Sequence, residues 1–127
     1  EGMTRVGDLG ELLAQSDMVY IHCPLTDETA MMIDGAAIAR MPEGGFLINC
    51  ARGGIVDEAA LAAALAEGRL SGAAADVFLS EPRFESPLLS APNFVATPHA
   101  GAQTRRALKN VGLSIAEQVL ADVLAVR

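Results

Sequence analysis

Four side chains in this 127-residue sequence have the types needed for anion binding and proton transfer: Arg52, Asp76, Glu81 and His99. Arg52 stands in FLINCARGGIVDE (residues 46–58), where an apolar run delivers a permanent positive charge just before two glycines. A guanidinium at such a place can grip a carboxylate with two parallel hydrogen bonds. His99, in TPHAG, is of the type that exchanges a proton with an alcohol or a carbonyl near neutral pH. A carboxylate beside a histidine favours the protonated imidazole, and Asp76 and Glu81 precede His99 in ADVFLSEP. Taken singly, each has a plainer reading: Arg52 as a solvated loop cation, His99 as a hydrogen-bonded loop residue, the two acids as loop carboxylates. Their positions relative to the chain's regular elements decide between the two.

Those elements follow from hydrophobic period and capping residues. Asp8-Leu9-Gly10-Glu11 forms a capping box for a short helix with Leu9, Leu12 and Leu13 as its stripe. The apolar run 18–21 is too short for a helix and reads as a strand covered on both faces, ended by Pro24. A helix is predicted over 34–41, a strand over 46–49, and a helix capped by Asp57 through Ala66, with Leu61 and Leu65 at i, i+4 and Gly68 as C-cap. Further strands fall within 70–78 and at 94–97. A last helix from about Thr104 carries Leu108, Val111, Ile115, Val119 and Val123 near helical spacing. That stripe and Met31-Met32 read as core or interface, Cys23 and Cys50 as small residues at packed strand ends, and His22 as a cap on a strand end. The stretch 79–93, with three prolines, fits neither pattern. Strands alternating with helices predict an α/β fold, a Rossmann-like doubly wound parallel sheet.

In an open parallel sheet, ligands bind beyond the carboxyl ends of the strands, which all lie along one edge. Here those ends read His22-Cys23-Pro24, Asn49-Cys50-Ala51-Arg52, Asp76-Val77-Phe78 and Thr97-Pro98-His99. One edge therefore collects an arginine, an aspartate and a histidine, with Glu81 just downstream. An oxidoreductase for 2-hydroxy acids requires such a set: an anchor for the substrate carboxylate and a group to exchange the hydroxyl proton, while a nicotinamide cofactor handles the hydride.

Composition narrows the alternatives. Hydrophobic residues make up 51% and charged residues 20%, which points to a folded domain. A net charge of -7 argues against nucleic acid or an anionic membrane surface as partner. No apolar run approaches a membrane span, and two cysteines without metal-ligand spacing suit a reducing, cytoplasmic setting.

The block NCARGGIVDEAALAAALAEGRLSGAAADVFLSEP, followed by TPHAGAQT and preceded by HCPLTDETAMMI, resembles the NAD-dependent D-2-hydroxyacid dehydrogenases, of the phosphoglycerate dehydrogenase and hydroxypyruvate reductase kind. The likeness runs from about residue 8 to residue 118. It implies that Arg52 holds the substrate carboxylate and carbonyl, that Glu81 polarises His99, and that His99 is the acid/base. It also implies Asp76 on the carboxamide side of the nicotinamide. Further cofactor contacts carry over to Cys23-Pro24, to Cys50-Ala51-Arg52, and to His99 with Ala100-Gly101-Ala102. The implied substrate is a small 2-hydroxy or 2-oxo acid, and the implied assembly a homodimer.

The sequence departs from the family in one respect: no G-x-G-x-x-G turn occurs in the 127 residues. Residues 1–127 are therefore expected to be the second half of a cofactor domain, without the pyrophosphate seat and the substrate domain. The residue that reads the ribose is not among the motifs, so NAD is the expectation and NADP stays open. An inert fragment and a non-catalytic binding or regulatory module that reuses the fold are the competing expectations.

Overall fold

The structure is a computed structural model and describes residues 2–83 and 85–125. Helix α1 (Leu9–Ala14), strand β1 (Met18–Ile21), helix α2 (Gly35–Ile38), strand β2 (Gly45–Asn49), helix α3 (Glu58–Ala66), strand β3 (Leu70–Ala75), strand β4 (Phe94–Ala96) and helix α4 (Arg105–Ala125) follow in that order. The four strands form one sheet in the order β1-β2-β3-β4. Every pairing is parallel, with Val19 opposite Leu47, Leu47 opposite Ala73, and Ala73 opposite Phe94. This is the predicted α/β architecture.

The capping residues do what their chemistry suggests. Asp8 accepts from the Glu11 amide at 2.8 Å and Asp34 from the Ala37 amide at 2.8 Å. Asp57 takes the amides of both Ala59 and Ala60 at 3.0 Å. The capping box at α1 is half formed, because Glu11 Oε1 accepts from Gln15 Nε2, four residues on, at 3.0 Å. Gly68 closes α3 with φ +70, a backbone state that glycine adopts without penalty.

Helices α1, α2 and α3 pack side by side, and their apolar residues Leu13, Ile38, Leu61 and Leu65 share a core with Val19, Ile21, Leu47 and Leu70 of the sheet. Among the described residues no helix covers the other face of the sheet. Strand β1 was expected to be covered on both faces, but its residues alternate: Val19 and Ile21 are buried, while Met18 and Tyr20 are 52% and 58% exposed. Phe46 and Val95 continue this open apolar surface. The cause is connectivity, since consecutive parallel strands added in one direction by right-handed crossovers place all their helices on one side. Helix α4 likewise exposes Leu108, Val111, Ile115, Val119 and Val123, so the stripe is not core among the described residues, and Met31 is also exposed.

The stretch 79–93 is more ordered than its prolines suggested. Residues Pro87–Ser90 form a 3-10 turn, capped by Ser86, whose Leu88 is buried in the core against α3. A spaced apolar residue between prolines is a weak signal, because one turn is too short to show a period. None of the helices among the described residues is long and apolar enough to cross a membrane.

Candidate active site at the carboxyl edge of the sheet

The turn that carries Arg52 is built by the last residue of β2. Asn49 is buried; its Oδ1 accepts from the Ala51 amide at 3.1 Å and its Nδ2 donates to the Arg52 carbonyl at 3.0 Å. An asparagine at the end of a strand can thus supply the hydrogen bonds that the ladder no longer offers. Gly53 follows because the chain there presses on the segment leaving β3. A Cβ at Gly53 would lie 2.1 Å from the Phe78 carbonyl oxygen, and Gly54 has φ +83. Arg52 itself is exposed, with Nη1 donating to the Ala51 carbonyl at 2.7 Å.

Glu81 and His99 meet. Nδ1 of His99 lies 2.7 Å from Oε2 of Glu81, while Oε1 of Glu81 accepts from the Phe78 amide at 2.8 Å. The hydrogen bond with His99, then that from Phe78, holds the Glu81 carboxyl below the usual range against a smaller opposing effect of burial. Leu79, between them, donates its amide to Glu58 Oε1 at 2.7 Å, tying the same segment to the start of α3.

Asp76 has a more enclosed place than its expected role requires. It is 8% exposed, and its carboxylate clasps the turn that follows β4. Oδ1 accepts from the Thr97 hydroxyl and from the Ala100 amide at 2.8 Å, and Oδ2 from the Gly101 amide at 2.8 Å. Burial is the largest influence on this carboxyl and pushes its pKa up. The three hydrogen bonds and the field of His99 together outweigh it, so the group sits below its ordinary value.

Two hollows lie side by side along this edge. One, of about 600 Å³, is lined by His22, Cys23, Pro24, Leu25, Cys50, Ala51 and Arg52. The other, of about 610 Å³, is bounded by Cys50, Arg52, Asp76 and Thr97 and by the turn 99–102. Arg52 and Cys50 belong to both. The structure therefore brings the expected residues Cys23, Pro24, Cys50, Ala51, Arg52, Asp76, His99, Ala100, Gly101 and Ala102 onto one groove. Glu81 stands apart from the hollows as the partner of His99 Nδ1. Cys50 is exposed rather than packed, and the His22 ring lies parallel to that of Tyr20, centroids 6.1 Å apart, rather than capping a strand. The small residues 100–102 border the second hollow beside the polar side chains of Arg52, Asp76 and His99, which leaves space there for a flat ring. Among the described residues no cluster of His, Cys, Asp and Glu could hold a metal ion.

Sequence reasoning assigned no role to Asn49 or Thr97. The signal for Asn49 was available as a polar residue closing an apolar run; the contact of Thr97 with Asp76 crosses between strands and is invisible in one dimension.

A parallel α/β sheet whose carboxyl edge gathers an arginine and a histidine–carboxylate pair is the setting for the comparisons with known proteins. Residues 1–101 match the family described as "D-isomer specific 2-hydroxyacid dehydrogenase, NAD binding domain". The chain belongs to that family. It is 44% identical over 118 residues to D-3-phosphoglycerate dehydrogenase of Methanocaldococcus jannaschii, covering 93% of this chain and 22% of the relative. With the enzyme of the same name from Bacillus subtilis it shares 47% identity over 110 residues, 87% of this chain and 21% of the relative. Among solved structures, D-lactate dehydrogenase from Aquifex aeolicus, complexed with NAD and lactic acid, superposes with TM-score 0.81 at 33% identity, over 92% of this chain and 40% of that one. The chain spans about a fifth of the length of the curated relatives it matches.

Proposed function

We propose that these residues form the substrate-anchoring and proton-transfer half of an NAD-dependent D-2-hydroxyacid dehydrogenase. The observation that carries the reading is the 2.7 Å contact between His99 and Glu81 on the same strand-end groove as Arg52. Arg52, exposed and permanently charged, binds the carboxylate of a 2-hydroxy or 2-oxo acid and orients it. With Nδ1 committed to Glu81, Nε2 of His99 is the nitrogen that gives a proton to the C2 carbonyl oxygen, or takes one from the C2 hydroxyl. Glu81 fixes the ring's tautomer and orientation and stabilises the imidazolium.

Cys50, Ala51, Asp76 and the segment 99–102 would hold the nicotinamide end, with Cys23 and Pro24 further along the groove. The cofactor, when bound, supplies or accepts the hydride at C2. No G-x-G-x-x-G turn lies in these 127 residues, so the pyrophosphate must be held elsewhere in the working enzyme. A phosphoglycerate, glycerate or glyoxylate type of substrate fits the anchor equally, and NAD and NADP differ at a residue outside these motifs. The two cysteines without a disulfide suit a cytoplasmic protein.

The test is oxidation of NADH with hydroxypyruvate, phosphohydroxypyruvate and glyoxylate. It is run on the chain alone and on a polypeptide joining it to a Gly-rich half and a substrate domain. Turnover by the joined form, lost on His99→Ala, supports the reading. Turnover that survives His99→Ala removes the proton-transfer role of His99, and no turnover with any of the three acids despite measurable NADH binding replaces the reading with a non-catalytic binding module.

A further inference from the structure

We propose that Thr97 is the positioning residue of the His99 turn: its hydroxyl holds the Asp76 carboxylate in the one orientation that captures the amides of Ala100 and Gly101. His99 has φ +50, a left-handed conformation that residues with a Cβ adopt only when the surroundings enforce it. Four contacts enforce it here. Asp76 takes the two amides that follow the histidine, His99 N donates to the Thr97 carbonyl at 3.1 Å, and Gln103 Nε2 donates to the His99 carbonyl at 3.1 Å. Of these, only the Asp76 grip depends on a rotatable carboxylate, and two amides aligned on two oxygens do not tolerate rotation. Thr97 supplies the third donor, to the same Oδ1 that receives the Ala100 amide. Fit is tight on the other side as well, since a Cβ at Gly101 would come within 2.9 Å of Asp76 Oδ2.

The consequence reaches the proton-transfer pair. The segment leaving β3 holds both partners, His99 through the Asp76 side chain and Glu81 through the Phe78 amide two residues later. The 2.7 Å contact between them is therefore set from one short stretch of chain, and Thr97 locks the half of it that could swivel. This rests on the dehydrogenase reading and deepens it by adding a residue at the border of the groove that acts on proton transfer through Asp76 and the His99 turn.

The decisive measurement is hydrogen exchange at the Ala100 and Gly101 amides of the 127-residue chain by NMR, comparing wild type with Thr97→Val, which keeps the shape and loses the donor, and Thr97→Ser, which keeps the donor. The expected result is exchange about tenfold faster in Thr97→Val and near wild type in Thr97→Ser. Equal protection in all three, or Thr97→Ser behaving as Thr97→Val, overturns the proposal. Should Thr97→Val not fold, Thr97→Ala is compared with Thr97→Ser by the same criterion. In the joined enzyme, Thr97→Val is expected to lower kcat about tenfold with KM within about twofold, and Thr97→Ser to restore it; a KM effect alone overturns the positioning role. The exchange arm needs no turnover, so it decides the role of Thr97 even where the dehydrogenase reading fails.

Discussion

His99 Nδ1 and Glu81 Oε2 stand 2.7 Å apart although they are eighteen positions apart in the chain, and the segment that follows β3 supports both, Phe78 through its amide to Glu81 and Asp76 through the amides that follow His99. The pair is half open to water, with side-chain exposures of 43% for His99 and 28% for Glu81. That combination suits a group that must change protonation in each turnover and still keep one orientation.

The Glu81 carboxyl lies below its ordinary value, so the sign of its pH effect follows. A depressed carboxyl contributes stability that is present above its unfolded value, 4.5, and is lost as pH falls through the lower folded value. Glu81→Gln should therefore destabilise the fold at pH 6 by about 0.5–1 kcal/mol, the range for a solvent-screened pair. The difference should be smaller at pH 3, below the unfolded value. Thermal melts of both proteins at the two pH values check this; an equal difference at both would mean that the charge of Glu81 contributes nothing.

A backbone contact gives a sharper prediction. A Cβ at residue 53 would meet the Phe78 carbonyl carbon at 2.2 Å and the Leu79 nitrogen at 2.7 Å, and neither is a flexible side-chain tip that can move aside. Gly53→Ala should cost about 3 kcal/mol, at the upper end for overpacking. It should also push the segment carrying Glu81 away from His99. Urea denaturation measures the first effect, and loss of the pH-dependent difference between Glu81→Gln and its Gly53→Ala parent measures the second. A midpoint equal to wild type would show that the turn can slide.

Arg52 and His99 should separate kinetically in the joined enzyme. In the proposed role Arg52 would bind a carboxylate that is charged in ground and transition states alike, so Arg52→Ala should raise KM about 10–100-fold with a smaller fall in kcat. In the proposed role His99 would move a proton only as the reaction proceeds, so His99→Ala should lower kcat about 10²–10⁴-fold. Arg52→Lys should recover little, because an ammonium cannot make the paired contact. Steady-state kinetics with a single 2-oxo acid tests all three variants, and a His99→Ala enzyme with unchanged kcat would exclude the proton-transfer role.

The parts of this molecule that were legible in its sequence are those governed by local rules. Asp34 and Asp57 announce helix starts, Gly68 a helix end, and the strand ends at Asn49, Asp76 and Thr97 follow from the apolar runs before them. From those ends and the parallel topology, Arg52, Asp76 and His99 fall on one edge, and the structure brings them there. The shared motifs placed Glu81 beside His99, which no period or spacing could do. What stayed hidden depends on contacts between strands or on missing neighbours. The Asp76 clasp joins residues 21 to 25 positions apart, Leu88 enters the core from a single turn, and the exposed face of β1 depends on which side its helices take.

That exposed face gives the last prediction. Met18, Tyr20, Phe46 and Val95 are each 41% or more exposed on one side of the sheet, and a hollow of about 380 Å³ lies among Phe46, Ile48, Ala74 and Val95. Strand β1 pairs only with β2, which leaves its other edge with free backbone donors and acceptors among the described residues. An apolar face beside an unpaired edge invites association. The 127-residue chain should therefore form dimers or larger species at micromolar concentration, by light scattering. Burial of even half of such a patch contributes several kcal/mol at about 25 cal/mol per Å². A charge placed on it should weaken the contact while leaving the helix-side core intact, so Phe46→Lys should shift the mass toward monomer with little change in circular dichroism. A monomeric wild type under these conditions would mean that the face tolerates water and does not drive association.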